Sequence, residues 1–168
     1  MLEFKKGVDI LSDIGGINTI EEARKLFNEQ LDSEHLSRLS RITHEDVLLK
    51  VANAIAMCQP DRVMVLTGSG ADKDFVRKYS IEKGEETPLA IPGHTYHFDL
   101  PEDQGRLLNQ TLYIVNEDEQ ISSMAQKELR SVSHAHIKKH MTGIMKGKVM
   151  FVGFYSRGPV GARASIPA

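Results

Sequence analysis

Hydrophobic residues recur every three or four positions between residues 20 and 58, which is the spacing of a buried helix face. The first helix is predicted to begin at Asn18 or Thr19, with two acids in its first turn where the helix dipole favours them. Its apolar face consists of Ile20, Ala23, Phe27 and Leu31. A later helix is predicted to start with a capping box at Thr43 and Asp46. It ends at Gln59, because the proline that follows disfavours helical geometry.

Three apolar runs have the length and the β-branched or aromatic content of buried strands, at 62–67, 111–115 and 149–155. The last run is the densest and is predicted to be a central strand. Gly153 inside it leaves room for another backbone or a ligand to come close. Apolar spacing also predicts a helix over 120–141, between the second and third runs. Its expected inward positions are Ile121, Met124, Ala125, Leu129, Val132 and Ile137.

A glycine-rich turn, Gly68-Ser69-Gly70, joins the first strand to a helix predicted over 71–82. A strand, a glycine-rich turn and a helix start can together cradle a phosphate group. This turn lacks the Lys-Ser/Thr ending of a Walker loop and the third glycine of a dinucleotide fingerprint, and Asp72 and Asp74 would repel phosphate. It is therefore predicted to be a tight turn capped by its serine.

Helices alternating with strands predict an α/β fold in which a mixed sheet is flanked by helices. Residues 1–168 are expected to form a single domain, with residues 1–40 as a loosely attached helical segment. In open α/β sheets, ligand sites collect in the loops at strand ends. Ser156, Arg157 and Gly158 follow the last strand and form the candidate site loop, with a plain surface turn as the alternative.

Composition narrows the class of protein but not its partner. The chain has 168 residues, 40% of them apolar and 26% charged, with a formal net charge of −2, which is typical of one soluble globular domain. This balance gives no overall field that favours nucleic acid or an anionic membrane. No apolar run approaches the roughly 18 residues that span a bilayer, and no secretory leader opens the chain, so a cytoplasmic protein is expected.

Two local features have both a chemical and a structural interpretation. His136 and His140 lie one helical turn apart and could both face a metal, but two ligands are not a site, and lysines lie between them, so a solvated helix face is expected. Cys58 is the single cysteine and falls on the apolar face of its helix. It is predicted to be a buried structural thiol rather than a nucleophile.

Three motifs occur in order along the chain. Residues 58–61 (Cys-Gln-Pro-Asp) precede a strand and Gly68-Ser69, residues 101–106 are followed by Gln-Thr-Leu at 110–112, and 145–161 contains Met-Lys-Gly-Lys, an aromatic-rich strand and Ser-Arg-Gly-Pro-Val-Gly. These motifs resemble segments of the GTP-dependent phosphoenolpyruvate carboxykinase family. The family's segments are CQP(D/E), strand and GS; D-P-x-D-V-A-R-x-E-x-K-T-V; and MKG(R/K), strand and S-x-G-P-x-G. The motifs come in the family's order from about residue 50 onward.

The resemblance assigns a substrate role to Arg106. The matching arginine in the family binds a carboxylate of phosphoenolpyruvate or oxaloacetate, and a guanidinium suits this task because its planar fork pairs bidentately with carboxylate. From residue type alone, Arg106 would be an ordinary solvated charge. Leu108 replaces an acidic residue of the family pattern and Arg157 replaces a methionine, which indicates a divergent branch.

The resemblance implies a larger enzyme, of which this chain is the N-terminal, substrate-side part and which is inactive as a part alone. That enzyme converts oxaloacetate and GTP into phosphoenolpyruvate, GDP and CO2, a reaction of gluconeogenesis. GTP and Mn2+ or Mg2+ are expected to bind outside this chain, in a C-terminal nucleotide-binding domain of the same protein. Neither a catalytic residue nor a metal ligand is expected within residues 1–168, and neither nucleic acid nor a membrane is an expected partner.

A second hypothesis remains open from the residues. The chain could be a non-catalytic module that binds a small molecule or regulates another protein and shares only the fold, because one fold hosts many functions.

Overall fold

The computed structural model describes residues 15–100, 111–163 and 166–167. Contacts group the chain into two compact units, one formed by Met1–Thr67 with His134–Ala168 and the other by Gly68–Ser133. The expectation of a single domain, with residues 1–40 loosely attached, stays a prediction.

Three helices form the first part of the larger unit: α1 (Ile20–Gln30), α2 (Ser33–Leu39) and α3 (Glu45–Cys58). The start of α1 is confirmed as a capping box, in which the Thr19 hydroxyl accepts from the Glu22 N–H and the Glu22 carboxylate accepts from the Thr19 N–H. The predicted capping box at Thr43 is wrong, because α3 has His44 at its N-cap and no side-chain cap.

The end of α3 is confirmed at Cys58. Gln59 adopts a left-handed conformation with φ +53° and its N–H donates to the Ile55 carbonyl, which closes the last helical turn before Pro60. This conformation is uncommon for a residue with a side chain. It redirects the chain straight into the first strand.

The core of the larger unit lies between these helices and a parallel strand pair, β1 (Arg62–Val65) and β6 (Val149–Val152), with Val63 opposite Met150. The core residues share nearly complete burial and come from α1, α2, α3 and both strands: Ala23, Phe27, Leu31, Leu39, Leu48, Ala52, Ile55, Met57, Cys58, Val63, Val65 and Met150. The predicted inward face of α1 is therefore confirmed at Ala23, Phe27 and Leu31.

Strand β6 is shorter and less buried than predicted. It ends at Val152, its residues other than Met150 are half-buried, and Phe154 and Tyr155 are exposed. Within the ranges described, β6 pairs with β1 alone, so it is not seen as a central strand. Aromatic residues past position 152 thus form a loop rather than a continuation of the core.

Two side chains of α2 close the other edge of β1. His35 is buried, and its Nδ1 accepts a hydrogen bond of 3.1 Å from the Val65 N–H. Arg38 donates from a guanidinium N–H to the Val65 carbonyl at 2.9 Å and also pairs with Glu34. Buried backbone groups must find partners. These side chains therefore pair with the Val65 N–H and carbonyl, which a neighbouring strand would otherwise pair.

In its described residues, 68–100 and 111–133, the second unit contains one long helix and two strand pairs. Helix α4 (Gly70–Glu82) follows the glycine-rich turn, and β2 (Thr87–Pro88) pairs antiparallel with β3 (Thr95–Tyr96). Strand β4 (Tyr113–Val115) pairs in parallel with β5 (Lys127–Leu129). The predicted serine cap of α4 is confirmed, because the Ser69 hydroxyl accepts from the Asp72 N–H at 3.1 Å.

The predicted helix over 120–141 is wrong in its first half. Residues 127–129 form β5, and the helix there, α5, spans Arg130–Met141. Met124, Leu129 and Val132, expected to face inward, are exposed. Parallel pairing with β4 satisfies the backbone of 127–129, and this non-local pairing outweighs the helical spacing of the apolar residues.

The fold is thus mixed α/β, with helices and small parallel and antiparallel sheets. The last pair joins β7 (Ser156–Arg157) to β8 (Ile166–Pro167) in antiparallel register. The sheet expected to be continuous is seen as four separate two-stranded pairs in the described ranges. No helix within those ranges has the length and apolar character needed to cross a bilayer.

Candidate functional site

Two of the sequence motifs contact each other directly, although they lie far apart in the chain. The Met145 N–H donates to the Cys58 carbonyl at 3.0 Å, and the Asp61 N–H donates to the Lys148 carbonyl at 3.0 Å. The Asp61 carboxylate in turn accepts from the Gly147 N–H at 2.8 Å, across 86 residues of sequence. The turn at 58–61 and the turn at 145–148 therefore form one hydrogen-bonded junction.

The residue types at this junction follow from its geometry. Gly147 has φ +75°, a left-handed conformation that glycine adopts without steric cost. Pro60 is buried and fixes the direction of the chain between α3 and β1. The Asp61 carboxylate accepts one hydrogen bond just before β1, and the Asp61 N–H donates to the turn before β6. The junction thereby sets the parallel register of the two strands at their amino ends.

The carboxyl ends of β1 and β6 lie at the same edge, because the two strands are parallel. Their pairing extends one step further, since the Leu66 N–H donates to the Val152 carbonyl at 2.8 Å. The loop after β6 begins immediately at Gly153. This edge is where ligand sites form in open α/β sheets, and the sequence motifs place their exposed loop there.

The Tyr155 side chain, from the same loop, lies directly against Gly153. A Cβ atom built on this residue would lie 2.6 Å from Cε2 of Tyr155, far inside contact distance. The Tyr155 ring, rather than another backbone, occupies the space beside Gly153 in this structure, and approach of a ligand stays a prediction. The ring is itself 68% exposed, so one of its faces borders solvent at the strand end.

The candidate site loop is exposed and built around two turns. Ser156 and Arg157 form β7, and Gly158 then reverses the chain with φ +98°. The Ala162 N–H donates to the Pro159 carbonyl at 3.1 Å, and Gly161 at the third position of this turn has φ +83°. These values define a type II turn.

Arg157 is the cation of this loop. Its side chain is exposed, and it forms no ion pair with any residue in the described ranges. An exposed guanidinium can take up a carboxylate or phosphate oxygen from a ligand. The geometry therefore leaves Ser156, Arg157 and Gly158 accessible, and their role in binding stays a prediction.

Arg106 lies outside the described residues, within the range 101–110, and so does Leu108. Downstream, β4 begins at Tyr113, whose N–H donates to the Gln126 carbonyl at 2.9 Å. The substrate role of Arg106 consequently stays a prediction that rests on its motif.

Cys58 is buried and the histidine pair is exposed, as their structural interpretations predicted. Cys58 is buried, and burial raises the pKa of its thiol, which disfavours the reactive thiolate. His136 and His140 are exposed on α5 with ring centroids 4.4 Å apart. No group of three residues able to hold a metal ion occurs in the parts of the chain that the structure describes.

Sequence reasoning missed the side chains that hold the unit together from the inside. Asn53 is 1% exposed; its Oδ1 accepts from the Ile17 N–H at 2.9 Å, and its Nδ2 donates to the Ile17 carbonyl at 2.8 Å. His35 and Arg38 bind Val65 in a similar way. The sequence signal for Asn53 was a polar residue within the apolar pattern of a helix. The signal for His35 and Arg38 was their separation by three positions, which places both on one face of α2.

An α/β domain with a parallel strand pair and an exposed, arginine-bearing loop at its carboxyl edge is the class that fold and site define. Within that class, the chain belongs to the phosphoenolpyruvate carboxykinase N-terminal domain family, whose model matches residues 50–168.

Several curated proteins named phosphoenolpyruvate carboxykinase (GTP) are similar to the chain. The protein from Saccharolobus solfataricus is 33% identical over 132 residues, and that from Thermococcus kodakarensis is 33% identical over 152 residues. These matches cover 79% and 90% of this chain but only 21% and 24% of the relatives. A bacterial relative from Treponema pallidum is 30% identical over 136 residues. The chain thus spans less than a quarter of the length of these relatives.

Proposed function

We propose that the chain is the N-terminal, substrate-side part of a GTP-dependent phosphoenolpyruvate carboxykinase, which converts oxaloacetate and GTP into phosphoenolpyruvate, GDP and CO2. The observation that carries this proposal is the junction of residues 58–61 with residues 145–148. Both segments were identified from their resemblance to this enzyme family, and hydrogen bonds through Asp61 and Gly147 join them in space. The similarity to enzymes named for this activity supports the same conclusion.

Arg106 is proposed to bind a substrate carboxylate. A guanidinium keeps its charge at any physiological pH and presents two parallel N–H donors to a carboxylate. Holding the substrate in one orientation toward the phosphoryl group converts a chance encounter into a positioned reaction. The loop of Ser156, Arg157 and Gly158 is proposed to border the same substrate, and Arg157 supplies a second, exposed cation.

The nucleotide and the metal ion are proposed to bind in the C-terminal domain of the full-length protein. The names of the relatives specify GTP. The chain itself has no Gly-Lys-Ser/Thr phosphate loop. When bound, the nucleotide would supply the transferable phosphoryl group. The residues of this chain would hold oxaloacetate, whose loss of CO2 leaves the enolate oxygen that accepts that group. We also propose that the strand pairs belong to one mixed sheet flanked by helices in the complete domain.

A direct assay of the full-length protein tests this proposal. We expect release of CO2 from oxaloacetate that depends on GTP and a divalent metal ion, together with formation of phosphoenolpyruvate; ATP in place of GTP is the matched control. Reading the gene past codon 168 should reveal a glycine-rich loop ending in Lys-Ser/Thr. A full-length protein that binds oxaloacetate without GTP-dependent turnover would instead indicate the alternative, a non-catalytic binding or regulatory module.

A further inference from the structure

A cavity of about 340 Å³ opens among the first three helices of the larger unit. Residues of α1, α2 and α3 line it, together with the connection between α2 and α3. The lining residues are Arg24, Phe27, Asn28, Leu36, Leu39, Ser40, Ile42 and Leu48. This volume lies at the lower end of the range of roughly 300–1,000 Å³ that is usual for small-molecule sites.

The cavity has an apolar interior. Phe27, Leu39 and Leu48 are buried members of the hydrophobic core, and Leu36 and Ile42 pack against that core. None of the lining residues is acidic. Apolar walls with few polar groups are the usual character of a small-molecule pocket. A ligand for this cavity therefore has an apolar body.

The polar residues at the cavity supply donors and one positive charge. Arg24 and Asn28 are four residues apart on α1, so they lie on the same face of the helix. The Arg24 side chain forms no ion pair with the residues in the described ranges. Asn28 uses one N–H on the Arg24 carbonyl at 2.8 Å and keeps a second N–H, whereas the Ser40 hydroxyl already donates to the Ser37 carbonyl. The polar rim thus matches an anionic head group.

We propose that this cavity binds a small organic monocarboxylate whose apolar body fills the cavity and whose carboxylate pairs with Arg24. The volume of about 340 Å³ is near the lower limit for small-molecule sites, so the expected ligand is about the size of a medium-chain acyl carboxylate. The cavity offers one guanidinium that has no ion pair within the described residues, one carboxamide and an apolar interior. This combination favours a monocarboxylate over a fully apolar or a multiply charged ligand.

Octanoate is the probe that tests the proposal, with octan-1-ol and acetate as matched ligands. The full-length protein, with labelled Leu and Ile methyl groups, is titrated with octanoate and observed by NMR. Saturable shifts are expected at the methyl groups of Leu36, Ile42 and Leu48. The Arg24→Gln variant should bind octanoate about tenfold more weakly, because a charge-assisted hydrogen bond is lost, and should bind octan-1-ol as the original chain does. Lys25→Gln removes the same charge beside the cavity and should change binding less than about twofold.

A variant that narrows the cavity separates this site from other apolar surfaces. Ser40 is exposed at the end of α2 but lines the cavity, so Ser40→Phe reduces the space with little risk to the core. It should weaken octanoate and octan-1-ol alike. The proposal is overturned if the shifts do not saturate or map to other methyl groups, if Arg24→Gln binds octanoate as well as the original chain, or if acetate binds as well as octanoate.

Discussion

Replacing Asn53 with aspartate changes one group in the core without changing its size. The Asn53 amide bridges the backbone of Ile17, and its Nδ2 also donates to the Leu49 carbonyl at 2.9 Å. Aspartate keeps the acceptor for the Ile17 N–H but replaces both donor contacts with repulsion between the carboxylate and two carbonyl oxygens. Burial adds the cost of removing a charge from water.

The expected loss in the free energy of unfolding is about 3 kcal/mol at pH 7, from two hydrogen bonds of about 1 kcal/mol each and an uncompensated buried charge. For a chain of this length, that corresponds to a fall in Tm of roughly 6–12 °C. The repulsion and burial raise the pKa of the new carboxyl group above its unfolded value. The deficit should therefore narrow as the pH falls, because the folded state takes up the proton more readily.

Urea unfolding followed by circular dichroism at pH 7 and pH 4.5 measures the effect. Asn28→Asp is the matched control, since Asn28 is exposed and makes one hydrogen bond to the Arg24 carbonyl at 2.8 Å. It should change stability by less than about 0.5 kcal/mol. A loss for Asn53→Asp no larger than that of the control, or a deficit that grows on acidification, would refute the role assigned to Asn53.

Three further predictions follow from the larger unit. The Cys58 thiol is buried with a raised pKa, so Ellman's reagent should react at least about a hundredfold more slowly with the folded chain than with the chain in urea; equal rates would contradict this. Backbone N–H donors lower the pKa of Glu22 and of Asp32 in the folded chain. The two carboxylates therefore stabilise the fold fully at neutral pH, and this contribution is lost as the pH falls below about 4. Glu22→Gln with Asp32→Asn should flatten that acid-induced decline in the urea midpoint, and an unchanged slope would argue against it. Finally, His35→Ala leaves the buried Val65 N–H unpaired and should cost about 1–3 kcal/mol and speed exchange of that amide, whereas His35→Asn keeps an acceptor and should preserve protection; equal exchange in both variants would be inconsistent with the observed hydrogen bond.

The sequence predicted helix boundaries correctly where the interaction that fixes the boundary lies within a few residues. Helix α1 begins at its predicted cap because Thr19 and Glu22 bond to each other's backbone within one turn. Helix α3 ends before Pro60 because the proline restricts the residue that precedes it. Periodicity also placed Ala23, Phe27 and Leu31 in the core, since a helix with one apolar face has one way to bury it.

Non-local pairing in one place and the conformation of a loop in another explain why the sequence misled. Residues 127–129 have apolar neighbours at helical spacing, yet they pair in parallel with β4, which no pattern within 120–141 could reveal. The space beside Gly153 is filled by Tyr155, two residues away, because the strand ends at Val152. The loop conformation, rather than the composition of the run, determined that outcome.

The motifs of the candidate site could be identified from the sequence, but their arrangement in space could not. The motif segments at 58–61 and 145–148 were identified separately, whereas the hydrogen bond between Asp61 and Gly147 spans 86 residues and depends on the register of β1 and β6. Residues 156–158 follow β6 in an exposed segment that includes β7, and their role as a site stays a prediction. The type II turn that comes after them depends on the conformation of Gly161. The family resemblance therefore indicated the chemistry, whereas the contact between the motifs became visible only in the fold.

The kinetics of the full-length protein with Arg106→Ala test the proposed function most directly. The Michaelis constant for oxaloacetate should rise at least about tenfold more than that for GTP, because the lost guanidinium is proposed to bind a carboxylate of oxaloacetate and not the nucleotide. Arg106→Lys should recover only part of the loss, since an ammonium group cannot pair bidentately. Equal changes in the two Michaelis constants, or no change in either, would contradict the assignment of Arg106 to the substrate.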